Sequence, residues 1–235
     1  PQIFNWPDQK IHHDVAVHVG TLGAVIFYLR NNIIDLLKDI GLSLLQQKSR
    51  QEFLYMKIII STMPAIVVGF LVYNYLIDYF RNMHIIAYSC IIFGIVLFIT
   101  DKYSQSKKIW SKITFKDAIV IGIFQCFAFI PGASRAGVTI TGSRLLGFSR
   151  ESSAIYSMLL SIPIIFASLI LSASDVINDP NSIANVQQSI FAAMISCITA
   201  LLSIHFMMNI IQKSNFNIFI FYRIFLGIVI LVIYA

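Results

Sequence analysis

Long apolar runs alternate with short polar segments along this chain, and the alternation predicts helices rather than strands. Residues 15–29, 57–77, 85–99, 153–171, 190–211 and 218–234 are almost free of charge. Each approaches or reaches the roughly 20 apolar residues that carry a helix across a bilayer. Between the first two, residues 30–56 are polar but place Ile33, Ile34, Leu36, Leu37, Ile40, Leu44 and Leu45 at near-helical spacing, the pattern of an amphipathic surface helix. Pro64, Gly69 and Gly94 fall inside apolar runs, where packed membrane helices tolerate them. The centre of the chain departs from the pattern: 118–130 is apolar for only 13 residues before Pro131-Gly132, and 136–148 is equally short. Two half-length helices around a turn are predicted there.

Only 12% of the 235 residues are charged, against roughly 25% in soluble domains, and mean hydropathy is +0.79. The fold class expected is an all-α, polytopic membrane protein. A formal net charge of +6 would suit a nucleic-acid binder, but the basic residues gather in connecting segments. Arg30, Lys38, Lys48, Arg50 and Lys57 lie in one, and Lys102, Lys107, Lys108, Lys112 and Lys116 in another. Orientation in a bilayer is encoded this way, so no nucleic-acid role is expected.

Two spans join those basic segments, which therefore face the same, cytoplasmic side. Arg144, Arg150 and Lys213 join them only if the central half-helices dip into the membrane and return. The base-free segment 172–188, with Asp175 and Asp179, then lies outside. Residues 118–148 are thus predicted to form a re-entrant helical hairpin whose turn sits deep in the membrane, where irregular backbone must line a cavity. Residues 88–97 echo residues 222–230, in helices of opposite direction, so the bundle is expected to be an inverted repeat. The first repeat is 1–116, with spans 15–29, 57–77 and 85–99; the second is 117–235, with the hairpin 118–148 and spans 153–171, 190–211 and 218–234. Cys90, Cys126 and Cys197 lie far apart inside apolar runs and read as small buried hydrophobes. The segment ahead of the first run is not expected to be a signal peptide, and a missing piece ahead of Pro1 is expected.

Candidate chemistry concentrates in Pro131-Gly-Ala-Ser-Arg-Ala-Gly-Val-Thr139 and its continuation to Gly147. Gly132 and Gly137 let the backbone approach a ligand, and a helix starting near Ser134 would aim its N–H groups and positive dipole end into the turn. Arg135 adds a planar fork that matches phosphate, and Ser134 a hydroxyl beside it. Arg135, Thr139 and Ser143 share a helix face. An arginine in the first turn of a helix is disfavoured by the dipole unless an anion is present, so the turn reads as an anion site. Gln125, inside the first half-helix, is placed to hydrogen-bond the turn or the ligand. Asp14, His18 and Thr21 also share a face, either as an interfacial cap with a satisfied histidine or as the lining of a site. Glu151 and Asp117 are expected to anchor the two cytoplasmic ends of the hairpin, and His205 to be an interhelical polar residue.

The 131–139 stretch, followed by Leu145-Leu-Gly147 and Ser149-Arg150, resembles the Pro-Gly-x-Ser-Arg-Ser-Gly-x-Thr signature of the undecaprenyl-diphosphate phosphatases, the bacitracin-resistance type. Asp14-Val-Ala-Val-His-Val-Gly-Thr21, Gly122-Ile-Phe-Gln125, Ser161-Ile-Pro-Ile164 and Phe221-Tyr-Arg-Ile-Phe-Leu-Gly227 extend the resemblance along the chain. The resemblance implies a bacterial multi-pass enzyme of the inner (plasma) membrane that removes the terminal phosphate of undecaprenyl diphosphate, recycling the lipid carrier of cell-wall synthesis. It also implies two inverted repeats, each with a re-entrant hairpin, and a site facing the extracytoplasmic side.

By the family pattern Arg135 binds the diphosphate, with Ser134 and Thr139 beside it as catalytic candidates. Gly132, Ala133, Gly137, Gln125, Ser143, Asp14 and His18 are the substrate-binding candidates. Ala136 stands where serine is usual and His13 where an aromatic residue is usual. The family's other motif, a Glu-rich hairpin ending in Pro-x-Ser-Ser-x-x-His, should precede Pro1. It would carry the carboxylates for a divalent cation, Mg²⁺ or Ca²⁺, so no metal ligand is expected in this chain, which is expected to lack about 30 residues, one hairpin's length, and to be inactive alone. The nucleophile is left open between water, Ser134 and a residue of that hairpin. The partners expected are undecaprenyl diphosphate and membrane lipid, with a second copy of the chain as a further candidate. The rival reading is a transporter or flippase of an anionic prenyl lipid, since inverted repeats with re-entrant hairpins also build transporters.

Overall fold

The structure, a computed structural model, describes residues 11–45, 53–75, 82–178 and 186–234. Trp6 and Pro7, Lys48 and Arg50, the turn with Asp78 and Arg81, and Asp179 lie outside the described residues. Among the described residues the fold is all-helical, apart from one isolated bridge between Lys108 and Phe148. The helices are α1 (Ile11–Tyr28), α2 (Arg30–Leu44), α3 (Leu54–Tyr75), α4 (Met83–Tyr103), α5 (Phe115–Cys126), α6 (Arg135–Leu145), α7 (Arg150–Asn178), α8 (Val186–Lys213) and α9 (Asn217–Ile233).

Four of these, α3, α4, α7 and α8, are long and apolar enough to cross a membrane. The 17 residues of α9 are apolar but shorter. The expected first span is present as α1, but His12, His13, Asp14 and His18 dilute its apolar character, and it is not among those four. The amphipathic segment expected after it is α2, which follows with only Leu29 between. The expected span 153–171 extends to Asn178, because Ser172, Ser174 and Asp175 end the hydropathy signal without ending the helix.

The chain forms two compact units, residues 1–30 with 161–207, and residues 31–160 with 208–235. In the first, α1 packs on α8: the Cα of Gly20 lies against the Ala193 carbonyl, and Ser196 donates to Val17 O at 2.9 Å. In the second, α4 packs on α9 and α6, and α5 packs on α3 and α6. Besides an apolar core, large apolar side chains face outward and several polar ones are buried. Phe225 and Val232 are 68% and 74% exposed, whereas Arg144, Thr139 and Ser143 are wholly buried. Apolar side chains facing outward over buried polar ones is the arrangement a lipid surround permits.

Helix starts in the second unit are set by side chains. Asp39 of α2 accepts the Leu54 N–H at 2.9 Å and so caps α3. Thr114 and Asp117 form a reciprocal capping box that starts α5. Burial alone would raise the Asp117 carboxyl, but the Lys108 ammonium at 2.9 Å and the Thr114 N–H and hydroxyl outweigh it and hold it below the usual carboxylate range. The main chain of Lys108 in turn bonds Gly147 O and the Ser149 N–H. One residue therefore ties the entry of α5 to the exit of α6, and the two helices form a hairpin with joined ends.

Those ends rest on a buried ion cluster. Asp101, at the end of α4, receives Arg144 Nε at 2.8 Å and Arg150 Nε at 2.9 Å. Arg144 is completely buried and also donates to Asp101 O, Ser106 Oγ and Phe148 O. Elsewhere Tyr156 of α7 donates to Lys57 O at 3.2 Å and bonds Ser61 Oγ at 2.7 Å, while Ser61 donates to Ala118 O, joining α3, α5 and α7.

Candidate functional site

At the far tip of the hairpin, a short 3-10 turn at Phe127–Phe129 leads into Ile130–Ser134, and α6 begins at Arg135 as the sequence predicts. Gly132 has φ +87°, and a Cβ there would collide with the main chain of Ile86 in α4, so this position requires glycine. Ser134 also holds a left-handed φ, +63°, which is costly for a residue with a Cβ. It is exposed, and its Oγ accepts the Gly137 N–H at 3.3 Å as the N-cap of α6. The N–H groups of Arg135 and Ala136, the first of the helix, have no acceptor within it.

Arg135 donates from Nη1 to the Ser157 carbonyl of α7 at 3.2 Å, one of the five N–H donors of a guanidinium. Thr139, wholly buried, bonds Ser157 Oγ at 2.7 Å and donates to Arg135 O and Ala136 O. Ser143 donates to Thr139 O at 2.8 Å within its own helix. Ala133 is buried in the turn. Gln125, in the last turn of α5, is 1% exposed, and neither atom of its amide has a hydrogen-bond partner. A buried amide left unpaired has hydrogen-bonding capacity for a ligand or water. The structure thus gathers Gly132, Ala133, Ser134, Arg135, Gly137 and Thr139 at one tip. Asp14 and His18 belong to the other compact unit, where both are exposed and His18 Nδ1 bonds Asp14 O at 2.7 Å.

Two residues at the tip were not singled out by the sequence. Arg223 of α9 donates from Nη2 to Gly132 O at 2.8 Å and Ala133 O at 2.6 Å. Its signal was available, since it is the one charged residue in an otherwise apolar helix. Ser157, which bonds both Arg135 and Thr139, sits in a serine-rich apolar helix and carries no distinguishing sequence signal. Among the described residues neither Arg135 nor Arg223 forms an ion pair, whereas Arg144 and Arg150 both do. Two guanidinia and a helix N-terminus with no described carboxylate between them can hold an anion of more than one negative charge. Among the described residues no three His, Cys, Asp or Glu gather that could hold a metal ion.

The chain is similar over nearly its whole length to known proteins. The family described as bacitracin resistance protein BacA matches residues 1–229. A protein of Campylobacter concisus named undecaprenyl-diphosphatase is 38% identical over 228 residues, covering 97% of this chain and 86% of that protein. One of the same name from Campylobacter curvus is 38% identical over 238 residues, covering 100% and 89%. A third, from Aliivibrio salmonicida, is 38% identical over 232 residues, covering 96% and 85%.

Proposed function

Because this chain belongs to the BacA bacitracin-resistance family of multi-pass membrane proteins, we propose that it hydrolyses undecaprenyl diphosphate to undecaprenyl phosphate and inorganic phosphate. The observation that carries the reading is the pair of arginines at the tip of the α5–α6 hairpin, unpaired by any described carboxylate and set at a helix N-terminus. In the net reaction the terminal phosphorus gains an oxygen from water as its bond to the bridging oxygen breaks, the lipid phosphate leaves, and a water proton passes to solvent. Arg135 and the first N–H groups of α6 bind the diphosphate and stabilise the charge spreading over the transferred phosphoryl oxygens. Ser134 and Thr139 flank Arg135. A divalent cation, Mg²⁺ or Ca²⁺, belongs to the proposed chemistry. Among the described residues no group of three His, Cys, Asp or Glu would hold it.

The hairpin is read as re-entrant. At about 1.5 Å per residue, the 12 residues of α5 and 11 of α6 reach about 18 Å and 16 Å, half of a hydrocarbon layer of about 30 Å. Their joined ends at Lys108 carry the basic residues, so that end is cytoplasmic and the tip opens toward the extracytoplasmic side of the bacterial inner membrane. The inverted repeat is supported by α4 and α9, the helices with the matching segments, which pack with Gly94 against Ile224 and Gly227 against Ala87 and Ile91.

The test is phosphate release by the full-length purified protein in detergent, given undecaprenyl diphosphate with Mg²⁺ or Ca²⁺. Stoichiometric phosphate and undecaprenyl phosphate are expected. Bound lipid carried across vesicles with no phosphate released would replace hydrolysis by transport.

A further inference from the structure

We propose that Arg223 is the positioning residue of the anion-binding tip, holding the irregular turn open for the diphosphate. The proposal rests on the reading that this tip binds the diphosphate, and it assigns the tip its second cation.

The left-handed Gly132 and Ser134 take the carbonyls of Gly132 and Ala133 out of any helical ladder. Left unpaired in a membrane they would be costly, and turned toward a phosphate they would repel it. Arg223 removes both problems with one nitrogen, Nη2, which donates to the two carbonyls at 2.8 and 2.6 Å. The Cys90 thiol gives Gly132 O a further donor at 3.4 Å. The carbonyls are thereby turned to α9, and the N–H groups at the start of α6 remain for the ligand.

Gly137 shows how the guanidinium fits. A Cβ at this position would collide with Nη1 of Arg223, so glycine here makes room for the arginine as it lies over the first turn of α6. Nη1 itself is buried without a hydrogen-bond partner. A cation held over the positive end of a helix, with an unspent donor and no described carboxylate, is unfavourable until an anion arrives. Arg223 therefore shapes the backbone cradle and adds to its positive field.

The experiment measures kcat, KM, inhibition by inorganic pyrophosphate and the thermal unfolding midpoint for the wild type, Arg223→Met, Arg223→Lys, Gly137→Ala and Arg135→Ala. Arg223→Met is expected to lower kcat/KM by about 100-fold, the loss typical of one preorganised charge-stabilising element, and to weaken pyrophosphate inhibition about tenfold. Arg223→Lys, which keeps the charge, restores most of the pyrophosphate inhibition but not the full kcat. If Arg223→Met does not fold, Gly137→Ala carries the test, since it keeps the arginine and displaces it; it should lose activity in the same direction. The proposal is overturned if Arg223→Met or Gly137→Ala stays within threefold of wild type, or if activity falls with the unfolding midpoint while pyrophosphate inhibition is unchanged. Failure of the underlying reading looks different: the wild type releases no phosphate, or Arg135→Ala retains full activity.

Discussion

The two ends of the α5–α6 hairpin each hold two arginines and treat them in opposite ways. At the joined end, Arg144 and Arg150 share the buried carboxylate of Asp101, and Arg144 adds Ser106 and two main-chain carbonyls. At the tip, Arg135 and Arg223 find, among the described residues, main-chain carbonyls, those of Ser157, Gly132 and Ala133. A cation in an apolar surround needs a counter-charge. The joined end supplies its own from within the chain and needs no ligand. Among the described residues the tip does not, and on the proposed reading the diphosphate supplies its neutralising charge. Charge without a described carboxylate separates the proposed site from the scaffold more sharply than burial does.

The strongest way to break this comparison is to remove the tip cation. Arg135→Ala is expected to lower kcat/KM about 10⁴-fold, roughly 5 kcal/mol of transition-state stabilisation, as loss of a charge-stabilising arginine does in phosphoryl transfer. The unfolding midpoint should hardly move, because only one hydrogen bond to Ser157 O is lost. Activity within tenfold of wild type would remove the tip from the chemistry.

The mirror experiment is at the joined end. Asp101→Asn leaves Arg144 wholly buried with no counter-charge, which should cost about 3–4 kcal/mol of stability. Turnover per folded molecule should be unchanged. Denaturation in detergent, scored beside activity, checks both halves. Replacing the cluster by Asp101→Leu with Arg144→Met should recover much of the loss. An Asp101→Asn protein as stable as wild type but inactive would mean that the two ends are not divided as drawn.

How much of this the sequence discloses follows from how local each signal is. The hairpin is legible because its two halves are too short to span and its turn carries Pro131, Gly132, Ser134 and Arg135 together. The start of α6 at Arg135 follows from the same residues, with Ser134 as cap. The partners of the arginines are not legible. Arg223 reaches Gly132 from a helix far along the chain, and Asp101 meets Arg144 across the whole hairpin; no periodicity records either pairing. Gly137 reads in the sequence as room for a ligand and proves in the structure to be room for a guanidinium, because what a glycine admits depends on a helix that is not its neighbour in sequence. The end of α7 is misplaced by hydropathy for a simpler reason: serine and aspartate stop being lipid-soluble before they stop being helical.

The smallest expected effect sharpens the boundary between charge and support at the tip. Thr139 has no exposure, and its hydroxyl is committed to Ser157 Oγ at 2.7 Å and to the carbonyls of Arg135 and Ala136. Ser157 in turn presents its carbonyl to Arg135. The pair holds the arginine in place through neutral bonds, each worth about 1 kcal/mol net. Thr139→Val and Ser157→Ala should therefore each lower kcat/KM only about fivefold to tenfold, some three orders of magnitude less than Arg135→Ala. Because they break the same bond, the double variant should be little worse than either single one, and a double-mutant cycle should give a coupling of about 0.5–1 kcal/mol. Additive losses would mean that the two hydroxyls act separately. A Thr139→Val protein as inactive as Arg135→Ala, with its fold intact, would move Thr139 from supporting the cation to touching the substrate, and the neutral part of the tip would then belong to the site as fully as its charge.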